Sequence, residues 1–394
     1  ASRSRGMLAA AADFLTGPVS ASPPAAKPKR LGSSEGNEGD GTKRKRGLNS
    51  SIRENGRIVH DRLQSVQVGE DAYFLRPDSL GVADGVGGWA SRPGADPALF
   101  SRLLMHFCAV ELGKYDGLTP QQLAADGGSL LSSWTSVDPV EVMHRAWERC
   151  VRASRREGIL GSSTALIALL RGDELRIANL GDCVLLIIRA GELLFRSAEQ
   201  QHSFNFPVQL GMMGHTAESV SLAADRTLAR EGYLQSGAAD DLEEDDAAEA
   251  LGTSVNAQDD GKAQTNEVEW DEPRRDAGRW TVKVQKGDII VIGSDGLVDN
   301  LFDEDIVEEV LRFAPPPPRS NASSEYVLPP TFSPQLVSEA LCSRAKAVSE
   351  DSRAVSSPFQ QRAMEEGLHY VGGKHDDISV LVAVVGEGNS QWGS

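Results

Sequence analysis

The sequence predicts a mixed α+β domain in which helices cover antiparallel strands. Short apolar runs separated by turn residues follow one another between residues 164 and 195, as in an antiparallel meander. Stretches with apolar residues three or four positions apart precede this region, and that spacing favours helices. With 394 residues and 40% hydrophobic content, the chain is long enough for one large globular domain, or at most two.

The individual elements follow from the same patterns. Apolar runs between turn residues predict strands at 72–75, 80–83, 164–170, 175–179, 184–188, 193–195, 288–293 and 378–385. Apolar residues at helical spacing predict helices at 97–114, 119–133, 139–157, 303–313 and 334–351.

Composition predicts where the folded domain begins and where loops interrupt it. Residues 1–55 form an Ala-, Ser- and Pro-rich tail with a basic cluster at 43–46, and we expect this tail to be disordered. Its composition fits the remains of an organelle transit peptide, a nuclear signal or a plain flexible tail. The folded domain is expected over 56–388, with an acidic insertion at 236–277 and a Pro-rich loop at 314–334.

Charge and cysteine content exclude several functional classes. The chain has 57 acidic and 40 basic residues, and its net charge of −17 argues against nucleic acid or an anionic membrane as a partner. It has no apolar run near the ~18 residues of a membrane span. The four cysteines form no CxxC pair, which favours neither a zinc site nor disulfides and indicates a reducing compartment. We expect a monomer.

Acidic residues recur beside glycine at the ends of predicted strands. They are Glu70, Asp71, Asp84, Asp182, Asp295, Asp299, Asp376 and Asp377. A carboxylate at such a position is suited to an oxygen-seeking cation such as Mg²⁺ or Mn²⁺, whereas softer metals prefer Cys or His. Each Asp alone is more often a turn former. Several such ends that converge would make a metal site.

The flanks of these acids resemble one known family. The motifs are ADGVGGW at 83–89, LGSST at 160–164, EQQHSFNFP at 199–207 and GGKHDDI at 372–378. Together with the order of the acids, they resemble the metal-dependent type 2C serine/threonine protein phosphatases, and most closely the branch often found in mitochondria. The resemblance covers residues 69–385 apart from the two loops. It implies a four-layer αββα sandwich of two antiparallel sheets flanked by helices, with a metal site at one edge.

The resemblance also implies roles. The reaction would be hydrolysis of phosphoserine or phosphothreonine on proteins by a water that bridges two Mn²⁺ or Mg²⁺ ions. Asp84 would bridge the ions, Asp71 would orient a bound water, and the remaining ligands would be Asp295 and Asp376 for one ion and Glu70 with the Gly85 carbonyl for the other. Asp182 and Asp299 match positions that hold a weaker third cation.

Two family features are missing. Many members carry a phosphate-gripping Arg where this chain has Val66, and Arg62 is the nearest substitute. Many also carry a His directly after the DG, where this chain has Val86. Because imidazole suits proton transfer near neutral pH, His202 or else His375 is the candidate general acid.

Alternative functions remain at this stage. The chain could be a phosphatase fold without turnover that acts in binding, although all the expected metal carboxylates are present. It could be another two-metal hydrolase that acts on nucleotides or nucleic acid, although it lacks a basic stripe. A cysteine phosphatase is disfavoured because there is no Cys-x5-Arg loop. A mitochondrial location is expected, with nucleus or cytoplasm as the alternatives.

Overall fold

The computed structural model describes residues 6–15, 53–54, 57–58, 63–89, 94–115, 134–211, 271–316, 327–351 and 356–387. The chain divides into two compact units. The larger consists of residues 1–17, 63–221 and 262–394, and the smaller of 18–62 and 222–261. In the smaller unit the structure describes one antiparallel pair, Arg53–Glu54 with Arg57–Ile58.

Two antiparallel sheets make up most of the larger unit. Their strands are β1 (Gly6–Leu15), β2 (Val66–Val68), β3 (Asp71–Arg76), β4 (Ser79–Ala83), β5 (Ala165–Arg171), β6 (Glu174–Leu180), β7 (Val184–Arg189), β8 (Glu192–Arg196), β9 (Gly278–Lys283), β10 (Ile289–Gly293) and β11 (Ile378–Glu387). The six-stranded sheet has the order β9-β6-β5-β4-β3-β2, and the five-stranded sheet has the order β1-β11-β10-β7-β8. Two short pairs lie beside them, Ser162–Ser163 with Leu210–Gly211 and Gln201–Ser203 with Phe206–Pro207.

Seven helices lie within the described part of the chain. They are α1 (Pro97–Gly113), α2 (Pro139–Glu157), α3 (Pro273–Asp276), α4 (Asp295–Val298), α5 (Asp303–Phe313), α6 (Pro334–Ser349) and α7 (Pro358–Glu365), and a single 3₁₀ turn spans Gly87–Trp89. The carboxylate of Asp96 caps α1 by accepting a 2.8 Å hydrogen bond from Leu99 N. The carboxylate of Asp138 caps α2 in the same way, by accepting a 2.9 Å bond from Val140 N. Proline at the first position suits both helices, because that position donates no intrahelical bond.

The alternation of side chains along the strands explains how the layers pack. In β7, Leu185 and Ile187 belong to a core cluster that both sheets share, whereas Val184, Leu186 and Ile188 belong to a second cluster with α5 and α6. This period of two places opposite faces of one strand in different cores. The five-stranded sheet therefore packs on the other sheet with one face and on helices with the other. Helices α1 and α2 contact the six-stranded sheet.

A tight hairpin joins β7 to β8. Ala190 and Gly191 occupy its two central positions with φ of 50° and 92°. Positive φ at both positions is the type I′ geometry, which matches the right-handed twist of the flanking strands. Glycine fits the second position at no steric cost, and the RAGE sequence at 189–192 thus forms the predicted turn.

Most predicted elements agree with the structure. The helices expected at 139–157 and 303–313 have those bounds, and that at 334–351 ends at Ser349. The meander strands agree to within one residue at each end. The helix expected at 119–133 lies outside the described residues. Strand β9 and helix α7 were not predicted, because β9 alternates polar and apolar residues beside an acidic stretch and α7 is short.

The expected disorder of residues 1–55 is wrong for residues 53–54, which form the short pair described above, and for a longer segment near the start. Residues 6–15 form β1, which pairs antiparallel with β11 from Gly6 opposite Glu387 to Leu15 opposite Ile378. The run GMLAAAADFL contains a single charged residue, and without it β11 would be an edge strand with unpaired backbone groups. The strand was not predicted because the composition was assessed over the whole tail, in which this apolar run is short.

The acidic insertion also ends earlier than expected. Residues 271–277, assigned to it from sequence, include helix α3 and contact the folded domain, since the Asp271 carboxylate accepts a 3.0 Å bond from Gln209 N. The insertion upstream of residue 271 and the middle of the Pro-rich loop, residues 317–326, lie outside the described residues. At the start of the Pro-rich loop, Ala314 is buried against α5 and α6.

The four cysteines are buried as thiols and form no disulfide with one another. Where the chain is described, no helix combines the length and apolar character needed to cross a bilayer.

Candidate metal centre

Backbone pairing gathers the predicted acids at neighbouring strand ends. Asp84 follows β4 and Asp71 begins β3, and the adjacent residues Ala72 and Ala83 are partners across these strands. In the other sheet, Asp295 follows β10 and Asp376 precedes β11, where Gly293 pairs with Val380. Each sheet thus brings two distant acidic motifs together.

Direct contacts join the motifs of the two sheets. The carboxylate of Asp377 accepts a 2.8 Å hydrogen bond from the backbone N–H of Glu70. The carbonyl of Glu70 in turn accepts a 3.1 Å bond from Gly85 N. The hydroxyl of Ser101 in α1 donates to the same carbonyl at 2.6 Å. The Glu70 turn is therefore held between the DG loop, the DD loop and helix α1.

Two glycines allow this close approach. A Cβ at Gly85 would lie 2.6 Å from the carbonyl oxygen of Glu70 and 2.7 Å from that of Pro97. A Cβ at Gly296 would overlap the carbonyl oxygen of Asp377. The glycine of each DG pair is thus required because another acidic loop passes directly over it.

The LGSST motif clamps the backbone of Asp84. The Asp84 N–H donates to the Thr164 hydroxyl at 3.0 Å, and its carbonyl accepts from Thr164 N at 2.9 Å and from the Ser163 hydroxyl at 2.8 Å. Trp89, expected to be a packing residue, is buried and donates from Nε1 to the Ser162 hydroxyl at 2.6 Å. These bonds fix the DG loop on the neighbouring strand.

Burial and mutual repulsion of carboxylates dominate the electrostatics. Burial, reinforced by nearby carboxylates that include Asp295, raises the pKa of Asp84 and of Asp71 well above the usual range. Burial, with the charges of Asp377 and Asp376, raises the pKa of Glu70 to about 6. Several anions close together in a half-buried site favour any cation that can enter it.

Lys374 partly compensates this charge. Its ammonium lies 2.6 Å from Asp295 Oδ2, 2.8 Å from Asp299 Oδ2 and 3.1 Å from Asp376 Oδ2. Burial alone would raise the pKa of Asp295, but the Lys374 charge and hydrogen bond outweigh it and lower the pKa. The pKa of Asp376 is raised to about 6 because burial and Asp295 prevail over Lys374 there.

The two acids expected at a third cation have other partners. Asp299 contacts Lys374 through Oδ2 and Arg362 through Oδ1. Asp182 Oδ2 accepts a 3.1 Å bond from the Gln201 amide. Burial, with repulsion from Asp295, raises the pKa of Asp182 to about 8 and that of Asp299 to about 7.

The donor atoms fit hard divalent cations. Both carboxylate oxygens of Asp71 and Oδ1 of Asp295 are buried without a hydrogen-bond partner, and buried anionic oxygens of this kind require a cation or a water. In the parts of the chain that the structure describes, no three Asp, Glu, His or Cys side chains are already arranged as ligands around one point. Binding would therefore require small side-chain rotations about the positions that the backbone holds.

The candidate general acids lie apart from this cluster. His202 is 46% exposed, and its Nε2 lies 2.8 Å from Asp271 Oδ2. Its ring contacts Phe206. His375 is exposed beside Asp376. The structure does not bring either imidazole into hydrogen-bond contact with a predicted metal ligand, and the role of His202 stays a prediction.

The phosphate-gripping position and two further basic residues complete the site. Val66 is 45% exposed on strand β2, and Arg62 lies outside the described residues. Sequence reasoning missed Lys374 and Arg362. The K of GGKHDDI, two positions before Asp376, was the available signal for Lys374. Arg362 lies in α7, which no motif marks, and only the fold places it against Asp299.

Comparison with known proteins identifies the family of this chain. The human protein phosphatase PTC7 homolog is 31% identical over 325 residues, which cover 81% of this chain and 80% of that protein. The chain belongs to the type 2C protein phosphatase family. A probable protein phosphatase 2C 55 of Arabidopsis thaliana is 30% identical over 80% of this chain and 48% of its own length. No family model matches the chain.

The solved structures support the same family. The photosystem II phosphatase PBCP is similar with a TM-score of 0.51 and 26% identity, over 81% of this chain and 92% of that one. The predicted resemblance to type 2C protein phosphatases, and to the branch that contains the PTC7 homologs, is thereby confirmed. The mixed architecture of helices and antiparallel sheets is confirmed as well.

Proposed function

We propose that this chain hydrolyses phosphoserine and phosphothreonine on proteins with two divalent cations, Mn²⁺ or Mg²⁺. One observation carries the proposal. Asp295 is the foremost charge acting on Asp84, although 211 positions separate the two residues in the sequence, and Asp376 acts on both Asp84 and Glu70. Such a group of hard oxygen donors is what phosphoester hydrolysis by metal ions requires.

The proposed ligands follow the geometry of the loops. Asp84 would be shared by both ions, because acids of both sheets, Asp71 on one side and Asp295 and Asp376 on the other, act on its carboxylate. Asp295 and Asp376 would hold one ion, and Glu70 with the Gly85 carbonyl would hold the other. When bound, the ions supply positive charge that activates water and neutralises the phosphoryl oxygens as the transition state forms.

The chain's own residues would position water and protons. Asp71 is buried beside Asp84 with two unpaired oxygens, so it is placed to accept hydrogen bonds from a water near the ligands. His202 is proposed as the donor of a proton to the leaving alkoxide, and its pairing with Asp271 would set which ring nitrogen carries that proton. Thr164 and Ser163 hold the Asp84 backbone in place.

The finer architecture belongs to the same proposal. The shared core of the two sheets and the helices on their outer faces support a four-layer αββα sandwich. The acids follow or precede strands at the ends that meet, which supports a metal site at one edge of the sandwich. The phosphatase domain would span 56–388 together with strand β1.

Partners and location are proposed from composition. We propose phosphoproteins as substrates of a monomer that binds neither nucleic acid nor membrane, in keeping with the net charge of −17. Mitochondria are the proposed compartment, on the composition of the tail. A fluorescent fusion to the end of the full chain tests this, and a nuclear or cytoplasmic signal would contradict it.

The decisive experiment measures phosphate release from phosphoserine, phosphothreonine and phosphotyrosine peptides with Mn²⁺ or Mg²⁺, and then with a chelator. We expect turnover of the first two peptides, its loss with chelator and its loss in Asp84→Asn. Asp173→Asn, in an exposed turn where Asp173 pairs with Lys283 at 2.9 Å, is the matched control and should retain activity. A wild type without metal-dependent turnover would instead indicate a binding module that keeps the phosphatase fold.

A further inference from the structure

The ammonium of Lys374 is a positive charge at the centre of the site that no proposed step uses. It lies between 2.6 and 3.1 Å from one oxygen of each of three carboxylates, those of Asp295, Asp299 and Asp376. A lysine ammonium has three N–H donors, so the three acceptors match its capacity. The ammonium therefore offsets negative charge on all three carboxylates at once.

Lys374 is held on several sides. Its carbonyl accepts a 2.9 Å bond from the Asn300 amide, which also donates to Gly296 O at 2.8 Å. Its ammonium lies 5.3 Å from the centre of the Phe359 ring, and Phe359 N donates to the carbonyl of Asp299 at 3.0 Å. With its side chain only 16% exposed, Lys374 is part of a built site and not a mobile surface lysine.

Asp299 has no carboxylate oxygen left for a metal. Oδ2 contacts Lys374, and Oδ1 contacts Arg362, which also lies 2.8 Å from Glu199 Oε2. Asp295 differs, because Lys374 takes Oδ2 whereas Oδ1 is buried without a hydrogen-bond partner. The arrangement therefore closes Asp299 to a cation and leaves Asp295 open to one.

We propose that Lys374 is a resident cation that takes the place of a third divalent ion at Asp182 and Asp299. The inference rests on the proposed function, because it assumes that Asp84 and its neighbours bind two ions. A divalent cation at Asp299 would have to displace the ammonium from Oδ2, since two positive charges cannot share this volume. The built-in charge offsets Asp299 at every metal concentration, so the chain binds two ions where a third would otherwise enter.

The count of bound Mn²⁺ per chain tests the proposal without any measurement of activity. Metal-free full-length protein is dialysed against Mn²⁺ and analysed by elemental mass spectrometry, with circular dichroism to verify folding. We expect two ions in the wild type, three in Lys374→Met and two again in Lys374→Met/Asp299→Asn. Lys283→Met is the matched control, because Lys283 is exposed and pairs with Asp173 and Glu174 outside the site. It should bind two.

Three results would overturn the inference: three ions in the wild type, two in folded Lys374→Met, or three in the double variant. If Lys374→Met does not fold, Asp299→Asn in the wild-type background still decides, because the count should stay at two and the loss of an ion would refute the proposal. A wild type that binds no Mn²⁺ would instead overturn the proposed function itself, so the two failures are distinguishable.

Discussion

The carboxylate of Asp377 accepts a 2.8 Å hydrogen bond from the backbone N–H of Glu70, which lies 307 positions earlier in the chain. This bond joins the turn that begins β3 to the loop that precedes β11, and each of these strands belongs to a different sheet. The two halves of the candidate metal centre are thus connected through a main-chain donor. Asp377 positions Glu70, although the sequence places it only as the second acid of a DD pair.

Loss of this bond should weaken both fold and site. Asp377→Ala leaves the Glu70 N–H without its partner, and we expect the free energy of unfolding to fall by about 2 kcal/mol, the usual cost for a bond to a charged group. Asp377→Asn keeps an acceptor oxygen and should lose much less. Urea unfolding of the metal-free proteins measures both variants. Equal losses in the two would show that the negative charge, and not the acceptor, matters.

Asp84→Asn should stabilise the protein when no metal is bound. Burial and nearby carboxylates oppose the Asp84 charge, so its removal relieves repulsion and should raise the melting temperature. The same variant should lose the rise in melting temperature that Mn²⁺ produces in the wild type. Asp78→Asn should act in the opposite direction, because Asp78 lies 3.0 Å from buried Arg171. An Asp84→Asn variant that Mn²⁺ still stabilises would contradict its assignment as a ligand.

The free energy of unfolding of the metal-free protein should decrease as the pH rises from about 4 to about 8. The pKa values of Glu70 and Asp376 in the folded state are about 6, and those of Asp299 and Asp182 are about 7 and 8, all above their ordinary values. A raised pKa in an acid contributes stability that is present at low pH and is lost as the pH passes the folded-state value.

Bound Mn²⁺ should reverse this loss of stability with rising pH. Protons must leave Glu70 and Asp376 before these residues can act as ligands, so the affinity for Mn²⁺ should rise as the pH passes about 6. Melting curves at a series of pH values, with Mn²⁺ and with chelator, test both statements. A melting temperature that rises with pH in the chelated protein would contradict the assigned shifts.

Two glycines of one motif should respond differently to a methyl group. In Gly85→Ala the new Cβ would meet the carbonyls of Glu70 and Pro97, and we expect a loss of about 1–3 kcal/mol in stability together with weaker Mn²⁺ binding. In Gly88→Ala the nearest atom is 3.9 Å away, so the variant should be close to neutral. Thermal unfolding and Mn²⁺ titration compare them. Similar effects at both positions would refute the steric argument.

The His202 prediction depends on the leaving group. As general acid, His202 should matter for a phosphothreonine peptide and not for p-nitrophenyl phosphate, whose leaving group needs no proton. His202→Ala should then slow the peptide reaction by roughly 100-fold, in the range of general acid catalysis. His375→Ala, which removes the exposed neighbour of Asp376, is the comparison variant. An unchanged peptide rate in His202→Ala would end the hypothesis.

The local sequence pattern was sufficient to predict most of the helices and strands. Helix α2 matches its predicted bounds because Asp138 and Pro139 mark its start and Gly158, at φ 70°, marks its end. The strands of the meander match because continuous apolar runs between turns are typical of buried strands. Strand β1 was missed because its stability comes from pairing with β11, a contact that local composition does not reveal.

The sequence alone identified the family, the order of most elements and the acids predicted to bind metal, because motif spacing and apolar periodicity are local properties of the chain. Only the tertiary structure decided which of those acids carry a counter-charge. Asp299 is paired with Lys374 and Arg362, and Asp295 keeps one free oxygen, since distances between residues tens to hundreds of positions apart depend on how the sheets pack. Electrostatic energy falls with distance in space and not in sequence, so the charge balance of the site emerges only in the folded chain.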